Sequence, residues 1–281
     1  MLAPPCVCAG GVDGSGGAGI GVDAAALRRL GCAPLTVKTA WTEQDAGGLV
    51  SWAPVGPAAL AAALRAACAA HPAAPVKTGM IGGRAAFGAA LATLVEHPGP
   101  VVVDPVTGPS AGGSWIEDGW REDFLALMPM VAAVITPNLA EARFLTGIED
   151  GDAASCLAAL QEAGFANVIV TGGDGEDEGC CVDLVGVAGQ EPYPLAGPRA
   201  TGIERGTGCS HASSLAGALA LGHGLADAAV IARLGTVARI EEQEGFPSAA
   251  AMPSQAAALP VPPAGAARLD GAMGICPLVE S

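Results

Sequence analysis

Short apolar runs alternate with longer amphipathic segments along most of the chain, and glycine or proline separates them. The apolar runs have the length of buried strands, and the longer segments carry apolar residues at helical spacing. The predicted strands cover residues 6–9, 34–39, 75–79, 101–103, 132–135, 168–170 and 181–185, the last at a sheet edge. The predicted helices cover residues 18–30, 57–70, 84–96, 138–145, 153–163, 210–221 and 226–240. This alternation predicts an α/β fold in which helices cover both faces of a central, mostly parallel β-sheet.

The alternating pattern ends near residue 244, where the composition changes to proline and alanine with few charges and no clear periodicity. A segment of that composition requires no packed core of its own. The sequence therefore predicts one domain over residues 1–244 and a Pro/Ala-rich C-terminal tail over residues 245–281. No repeat of fixed period runs through the chain, which argues against solenoids and propellers.

Composition and charge narrow the class of function. The 281 residues are 51% hydrophobic, which is enough for a sizeable core, and they carry a formal net charge of -15 with only 13 Lys and Arg. Because affinity for nucleic-acid phosphates comes from clustered cations, we expect no nucleic-acid partner. We expect no membrane partner and no export either, since no basic stretch precedes the apolar N-terminal residues and Arg65 interrupts the long Ala-rich segment.

The nine cysteines show neither CxxC pairs nor histidines at the spacing of a zinc site. This pattern favours a reducing compartment, so we expect the protein in the cytoplasm. Cys6, Cys8 and Cys68 lie in apolar stretches and are expected to be small buried side chains without chemistry.

A glycine turn formed by Gly206, Thr207, Gly208 and Cys209 comes directly before the predicted helix 210–221. Glycines let a ligand approach the backbone, and the N–H groups of a first helical turn have no partner within the helix, so the turn predicts an anion hole. The same position favours a thiolate and lowers a thiol pKa, which makes Cys209 a candidate base. The alternatives are an ordinary loop-to-helix turn and a packed, inert cysteine.

A second glycine-rich segment covers residues 11–20 and follows the first predicted strand. Its pattern does not fit the dinucleotide fingerprint, so a nicotinamide-dependent oxidoreductase is a distant alternative. Asp13 and Asp23 are candidates for contacts with polar ligand atoms, and helix capping or a place on a solvated face is the alternative for both.

Asn138 and Glu141 stand one helical turn apart where a predicted strand leads into a helix. Such a pair could hold Mg²⁺ through water. A capped helix start explains the same spacing.

In chain order, six segments between residues 6 and 240 resemble the hydroxymethylpyrimidine and phosphomethylpyrimidine kinases of the ribokinase-like superfamily. The matching segments are residues 13–20 with Asp23, Thr39-Ala40 with Gln44 and Gly48, residues 77–80, residues 103–106, residues 136–138 with Glu141-Ala142, and residues 206–209. The last is the most discriminating, because many relatives in the superfamily have aspartate where this group has cysteine. The resemblance implies a ribokinase-like fold and ATP-dependent phosphorylation of a pyrimidine hydroxymethyl group, or of its monophosphate, in thiamine biosynthesis.

The resemblance also implies roles for residues of the acceptor site. Gln44 would hydrogen-bond the aminopyrimidine, Met80 and Val106 would form apolar walls, and Asp23 would lie near the hydroxymethyl end. Cys209 would be the catalytic base, and the backbone of residues 206–209 would form the anion hole.

On the nucleotide side, the resemblance places Asn138 and Glu141 near Mg²⁺ and the ATP phosphates, and it implies a homodimer. Thr171 and Gly173 belong to a segment where the family commonly has K-G-G-H, so this chain lacks a positive charge expected near the triphosphate. Arg205, directly before the anion-hole glycines, is our candidate for supplying part of that charge.

Three departures from the family pattern keep alternatives open. Residues 44–46 read Q-D-A in place of Q-N-T, residues 19–23 read G-I-G-V-D in place of G-I-Q-A-D, and residues 107–115 lack the A-K-S-G pattern. One alternative is a related kinase for pyridoxal or another hydroxymethyl heterocycle. Another, suggested by the loss of lysines around the expected triphosphate, is a non-catalytic pyrimidine-binding regulatory protein.

Overall fold

One β-sheet runs through the protein. The computed structural model describes residues 2–45, 48–108, 115–173, 175, 179–202, 205–242 and 267–268. The strands are β1 (Pro5–Asp13), β2 (Ala33–Asp45), β3 (Gly48–Pro54), β4 (Val76–Thr78), β5 (Val101–Val103), β6 (Ala132–Ile135), β7 (Val168–Val170), β8 (Cys180–Gly186), β9 (Tyr193–Pro198) and β10 (Ala267–Arg268). Among the described residues they form a ten-stranded sheet in the order β10-β9-β8-β7-β6-β5-β4-β1-β2-β3.

The centre of the sheet is parallel, and antiparallel strands lie towards both of its edges. Strands β2, β1, β4, β5, β6 and β7 pair in parallel, with Val7 of β1 opposite both Leu35 and Val76. Strand β3 pairs antiparallel with β2, and β8 and β9 extend the other edge antiparallel. The prediction of an α/β fold with a mostly parallel sheet is confirmed.

Helices cover both faces of the sheet. They are α1 (Gly19–Arg29), α2 (Pro57–Ala70), α3 (Arg84–Leu94), α4 (Trp120–Leu127), α5 (Leu139–Thr146), α6 (Ala153–Glu162), α7 (Thr207–Ala220) and α8 (Leu225–Glu242). Alternate strand residues face opposite sides, so Val7 packs into the core beneath α2, α3 and α6, while Cys6 and Cys8 pack beneath α1, α7 and α8. Cys6, Cys8 and Cys68 are buried free thiols, as predicted.

The structure adds elements that the apolar pattern did not predict. Strand β1 extends to Asp13 and β2 to Asp45, and β3, β9 and β10 have no predicted counterpart. Helix α4 was also not predicted, although it buries Trp120 and Phe124 against Phe87, with Trp120 and Phe124 ring centroids 4.8 Å apart. The predicted tail falls outside the described residues except for 267–268, so the boundary at residue 244 stays a prediction.

In the part of the chain that the structure describes, no helix is both long enough and apolar enough to cross a bilayer.

Candidate active site

The predicted site residues gather at the carboxyl ends of the central parallel strands. The chain leaves β1 towards β2 on one side and later returns to place β4 on the other side. A reversal of strand order of this kind opens a crevice beyond the strand ends, where α/β proteins bind ligands. The end of β1, the end of β4 and the segment after β5 all face this crevice.

The N-terminus of α7 has the geometry of an anion hole. Gly206 is its N-cap residue with φ 76°, and no side chain caps the helix. A Cβ on Gly206 would lie 2.5 Å from the Gly17 carbonyl oxygen, so only glycine fits there. Gly208 is exposed in the first turn. A first turn with an exposed glycine and no side-chain cap suits a ligand anion, and the anion hole stays a prediction.

The first glycine-rich segment lies directly on this turn and is held there by Asp13. The Asp13 carboxylate accepts hydrogen bonds from the Ser15 N–H at 2.9 Å and the Ala18 N–H at 3.0 Å. It also pairs with the Arg205 guanidinium at 3.1 Å. Asp13 therefore holds the backbone of the glycine-rich loop, and no side-chain cap is present at the N-cap residue of α1. Arg205 clamps the two glycine-rich segments together and keeps a third of its side chain exposed.

Cys209 lies in the first turn of α7 and is partly buried. Its sulfur accepts a hydrogen bond from the Gly19 N–H, which brings the start of α1 to the same point. Burial, reinforced by Asp23 and Asp104 and opposed by Lys77, raises the pKa of the Cys209 thiol from 9.0 to about 12. The expectation that the helix N-terminus lowers this pKa is therefore wrong for the unliganded protein, because burial and two carboxylates outweigh the helix dipole.

A buried charge cluster lies beneath Cys209, and we call its three members, Asp23, Lys77 and Asp104, the charged triad. The Lys77 ammonium lies 2.9 Å from Asp23 Oδ1 and 3.0 Å from Asp104 Oδ2. Burial alone would lower the pKa of Lys77, but Asp23, Cys209 and Asp104 hold it well above the usual value. Lys77 is therefore a permanent cation in the floor of the site.

The expected contact between Asp23 and the substrate is corrected by this arrangement. Asp23 has no exposed surface, and its Oδ1 accepts hydrogen bonds from Lys77 and from the Ser213 hydroxyl at 2.8 Å. A side chain without exposed area touches no substrate in this conformation. Its role is to hold Lys77.

The acceptor side of the crevice is apolar. Met80 and Val106, predicted as apolar walls, belong to one cluster with Ala40, Trp115, Trp52 and Ile116. The Met80 carbonyl accepts a hydrogen bond from the Thr39 hydroxyl, which fixes the end of β4 against β2. A Cβ on Gly82 would lie 2.6 Å from the Trp52 ring, so this ring packs directly on the backbone after Met80. The cluster suits one face of a flat heterocycle.

Gln44 belongs to β2, where it is paired with Leu49 of β3 next to a register irregularity. Its side chain lies outside the described residues, so its contact with the acceptor stays a prediction.

Asn138 and Glu141 form the start of α5 at the end of β6. The Glu141 N–H donates to Asn138 Oδ1 at 2.8 Å, and the Asn138 N–H donates to Glu141 Oε2 at 3.0 Å. This capping box confirms the structural alternative for the pair. Thr171 bridges to Asn138 in parallel, so the two candidate nucleotide segments are adjacent. The role of Asn138 and Glu141 near Mg²⁺ stays a prediction.

The loop after β7 is shaped by its neighbours. The Gly172 N–H donates to Asp183 Oδ1 at 2.8 Å, and Asp183 Oδ2 pairs with the buried Arg233 at 3.0 Å. The Arg199 guanidinium donates to the Gly173 carbonyl at 2.7 Å. A Cβ on Gly172 would lie 2.0 Å from the Val182 carbonyl, so the loop can only run this close to β8 with glycine there.

The donor set in the described residues fits a nucleotide better than a metal bound by protein side chains alone. No group of three or more His, Cys, Asp or Glu side chains that could hold a metal ion occurs among them. The uncapped first turn of α7 supplies N–H donors that suit phosphate oxygens. A divalent ion that arrives with the nucleotide and keeps most of its waters needs only one or two protein contacts.

The sequence did not predict the contacts of several residues that lie at the site. Lys77 and Asp104 stood in segments that resemble family motifs, but nothing in the chain order predicted that they pair with each other or with Asp23. The one available signal was a lysine inside a buried strand, which requires an anionic partner. Trp52 and Trp115 gave no periodic signal at all.

The chain is similar to known proteins in both sequence and structure. The family model for phosphomethylpyrimidine kinase matches residues 13–250. The chain is 31% identical over 212 residues to the hydroxymethylpyrimidine/phosphomethylpyrimidine kinase of Haemophilus influenzae, a match that covers 73% of this chain and 79% of that protein. It is 34% identical over 211 residues to the thiamine biosynthesis bifunctional protein of Geobacter sulfurreducens, of which the match covers only 43%.

The pyridoxal kinase of Staphylococcus aureus in complex with AMP-PCP and pyridoxal has a similar structure, with a TM-score of 0.72 and 26% sequence identity over 83% of this chain and 86% of that one. The fold is therefore ribokinase-like, as the resemblance implied. With the family model covering most of its length and relatives above 30% identity, the chain belongs to the phosphomethylpyrimidine kinase family.

Proposed function

We propose that the protein transfers the γ-phosphoryl group of ATP to the hydroxymethyl group of 4-amino-5-hydroxymethyl-2-methylpyrimidine, or to its monophosphate, in thiamine biosynthesis. The observation that supports this proposal is that three features of the structure lie at the same crevice. These are the uncapped first turn of α7, the thiol of Cys209 within that turn, and the apolar cluster around Met80. Together they supply an anion hole, a proton acceptor and a surface for a heterocycle.

The residues divide the work in the following way. The N–H groups of residues 206–209 hold the transferring phosphoryl group, and Cys209 takes the proton from the acceptor oxygen as that oxygen attacks phosphorus. Met80 and Val106 contact one face of the pyrimidine, and Gln44 binds its polar edge. Mg²⁺ bound with ATP neutralises phosphate charge, and Asn138 and Glu141 would hold it through water.

Positive charge for the triphosphate is scarce, because the family lysine is replaced by Thr171. Arg205 pairs with Asp13 but keeps 34% of its side chain exposed next to the α7 turn. We include Arg205 as a contact to the nucleotide phosphates, and residues 171–173 as the backbone on which the nucleotide rests.

A coupled ADP-release assay tests the proposal, with hydroxymethylpyrimidine and its phosphate offered separately. We expect turnover of at least one of them in the presence of ATP and Mg²⁺, and loss of most turnover in Cys209→Ala. Turnover of neither acceptor by a folded, ATP-binding protein contradicts the assignment. ATP binding without turnover, measured by calorimetry, supports the regulatory alternative.

Pyridoxal is the second candidate acceptor, and one observation favours it. The Staphylococcus aureus structure that resembles this chain is that of a pyridoxal kinase with pyridoxal bound. Pyridoxal added to the same acceptor panel decides between the two. A higher kcat/KM for pyridoxal than for either pyrimidine would reassign the acceptor while leaving the phosphoryl-transfer chemistry in place.

We further infer a cytoplasmic homodimer that acts without a nucleic-acid partner, consistent with the net charge of -15. Light scattering coupled to gel filtration tests the dimer, and a mass near 27.4 kDa would contradict it.

A further inference from the structure

The charged triad places three almost fully buried ionisable side chains in the floor of the crevice. Lys77 is fully buried between two carboxylates, Asp23 is fully buried as well, and Asp104 keeps only 4% of its surface exposed. The three side chains come from β4, from α1 and from the segment after β5. Buried ions are costly to desolvate, and well-packed apolar residues often hold a fold equally well. A structural role alone therefore gives no reason for charges at this point.

The triad is directed at the first turn of α7. A Cβ on Gly208 would lie 3.8 Å from Asp104 Oδ1, and a Cβ on Gly79 would lie 2.8 Å from the Lys77 ammonium. Because neither glycine has a side chain, the backbone after β4 and the backbone of the first turn of α7 pack closely against the triad. Ser213, one turn further along α7 than Cys209, donates a hydrogen bond to Asp23 and fixes the helix on the triad.

The charges in the triad act on Cys209 with opposite signs. Asp23 and Asp104 disfavour its thiolate, Lys77 favours it, and the Gly19 N–H adds a favourable hydrogen bond. Burial nevertheless has the largest effect and raises the pKa of Cys209, so the thiol is its resting form.

We propose that Lys77 is a positioning residue for phosphoryl transfer, whose buried ammonium stabilises the Cys209 thiolate against the two carboxylates that hold the ammonium in place. This inference rests on the proposed function, in which Cys209 is the base. It assigns to Lys77 an effect on the proton balance of Cys209 and no contact with substrate.

The step balances with Cys209 as the only proton carrier. The thiol releases its proton to water, and the resulting thiolate accepts the proton of the acceptor hydroxyl. As the S–H bond forms, the acceptor oxygen forms its bond to the γ-phosphorus and the bond to the leaving ADP oxygen breaks. The ammonium offsets the thiolate charge for as long as that charge exists, so it lowers the free energy of the reactive form.

Three variants test the inference without ATP or acceptor. Asp23→Asn removes a negative charge, and Lys77→Met removes the positive charge. The double variant removes both charges and leaves Asp104 as the single carboxylate of the triad. It therefore serves as the folded alternative if Lys77→Met, which leaves two carboxylates without their cation, fails to fold. The comparison of Asp23→Asn with the double variant isolates the Lys77 charge in a common background. Circular dichroism and thermal melting establish that each variant is folded.

The readout is the rate at which iodoacetamide alkylates Cys209 between pH 7 and pH 10, followed by mass spectrometry of the peptide that contains it. A neighbouring charge shifts a thiol pKa by about one unit or more. Each unit changes the alkylation rate by roughly threefold, because the loss of thiolate is partly offset by its greater nucleophilicity. Relative to wild type we expect Asp23→Asn to react faster and Lys77→Met to react more slowly. The double variant should react more slowly than Asp23→Asn.

Equal rates in Asp23→Asn and the double variant would overturn the inference, and so would a change of the same sign in both single variants. The kinase assay then separates the two claims. If the wild-type protein phosphorylates neither pyrimidine, the proposed function is contradicted but the thiol measurement remains valid. In the folded double variant we expect a lower kcat than in Asp23→Asn, with an unchanged ATP KM. If Lys77 had only a structural role, the alkylation rates of Asp23→Asn and the double variant would be the same.

Discussion

Substituting alanine at either of two glycines in the same turn should separate stability from activity. Gly206 has φ 76°, and an alanine there adopts a left-handed conformation that costs roughly 1–2 kcal/mol. Its Cβ would also lie 2.5 Å from the Gly17 carbonyl oxygen and 3.2 Å from Val22 Cγ2, so the backbone of the first glycine-rich segment must move. Overpacking of this kind adds about 1–3 kcal/mol. We expect Gly206→Ala to lose about 2–5 kcal/mol of unfolding free energy.

Gly208→Ala is the matched control within the same turn. Gly208 is helical and exposed, and its added Cβ would have Asp104 Oδ1 at 3.8 Å as its nearest neighbour. Alanine in a helix is more stable than glycine by roughly 0.5–1 kcal/mol, so this variant should be as stable as wild type or slightly more stable. Its methyl group would stand where a phosphate approaches the first-turn N–H groups. We therefore expect the ATP KM to rise about tenfold or more, the effect of losing one hydrogen bond to a charged group.

Urea denaturation gives both unfolding free energies, and steady-state kinetics at varied ATP gives both KM values. The thermal midpoint of Gly206→Ala should fall by on the order of 5–10 °C. If Gly206→Ala has the same free energy of unfolding as wild type, the close packing of the two glycine-rich segments is refuted. A wild-type ATP KM in Gly208→Ala refutes the location of the anion hole.

Four further predictions address the chemistry and the buried thiols. Cys209→Ala should lower kcat by about 10²–10⁴-fold with ATP binding retained, and Cys209→Ser should not restore it; near-wild-type kcat leaves the residue as packing. Gln44→Ala should raise the acceptor KM by the equivalent of about 1–3 kcal/mol in a folded protein, and an unchanged KM removes its assigned role. Arg205→Ala should raise the ATP KM more than the acceptor KM, and the reverse order rules out its phosphate contact. The free energy of unfolding should fall as pH rises above 9, by about 1.4 kcal/mol per pH unit per thiol. The reason is that four thiols ionise near 9.0 in the unfolded chain but have raised pKa values in the native state. A free energy of unfolding that does not change from pH 8 to pH 10 contradicts the burial of these thiols. The four thiols are Cys6, Cys8, Cys32 and Cys209.

Two central parallel strands were predictable because each is a continuous apolar run with proline or glycine close behind it. Residues 101–103 and 168–170 match β5 and β7 without a shift in boundary. Edge elements lack that signal. Strand β9 reads Y-P-L-A-G-P and β3 reads G-L-V-S-W-A-P, and each is held by antiparallel pairing with a neighbour that the local sequence does not reveal.

The positions of the site residues were predictable only as far as local sequence determines them. The α7 turn follows from its glycines, and the capping box at Asn138 follows from its spacing. The protonation of Cys209 does not, because it depends on Asp23, Lys77 and Asp104, which lie far from Cys209 in the sequence and are brought together beneath it by the strand order. A helix N-terminus predicted a lowered pKa, whereas tertiary burial raises it.

A structure of the protein with a non-hydrolysable ATP analogue and hydroxymethylpyrimidine bound tests the central claim most directly. We expect the terminal phosphate to accept hydrogen bonds from the N–H groups of residues 206–209. We also expect the pyrimidine to pack on Met80 and Val106 with its hydroxymethyl oxygen within hydrogen-bonding distance of Cys209 Sγ. A terminal phosphate bound away from the α7 turn, or a hydroxymethyl group directed away from Cys209, would contradict this claim.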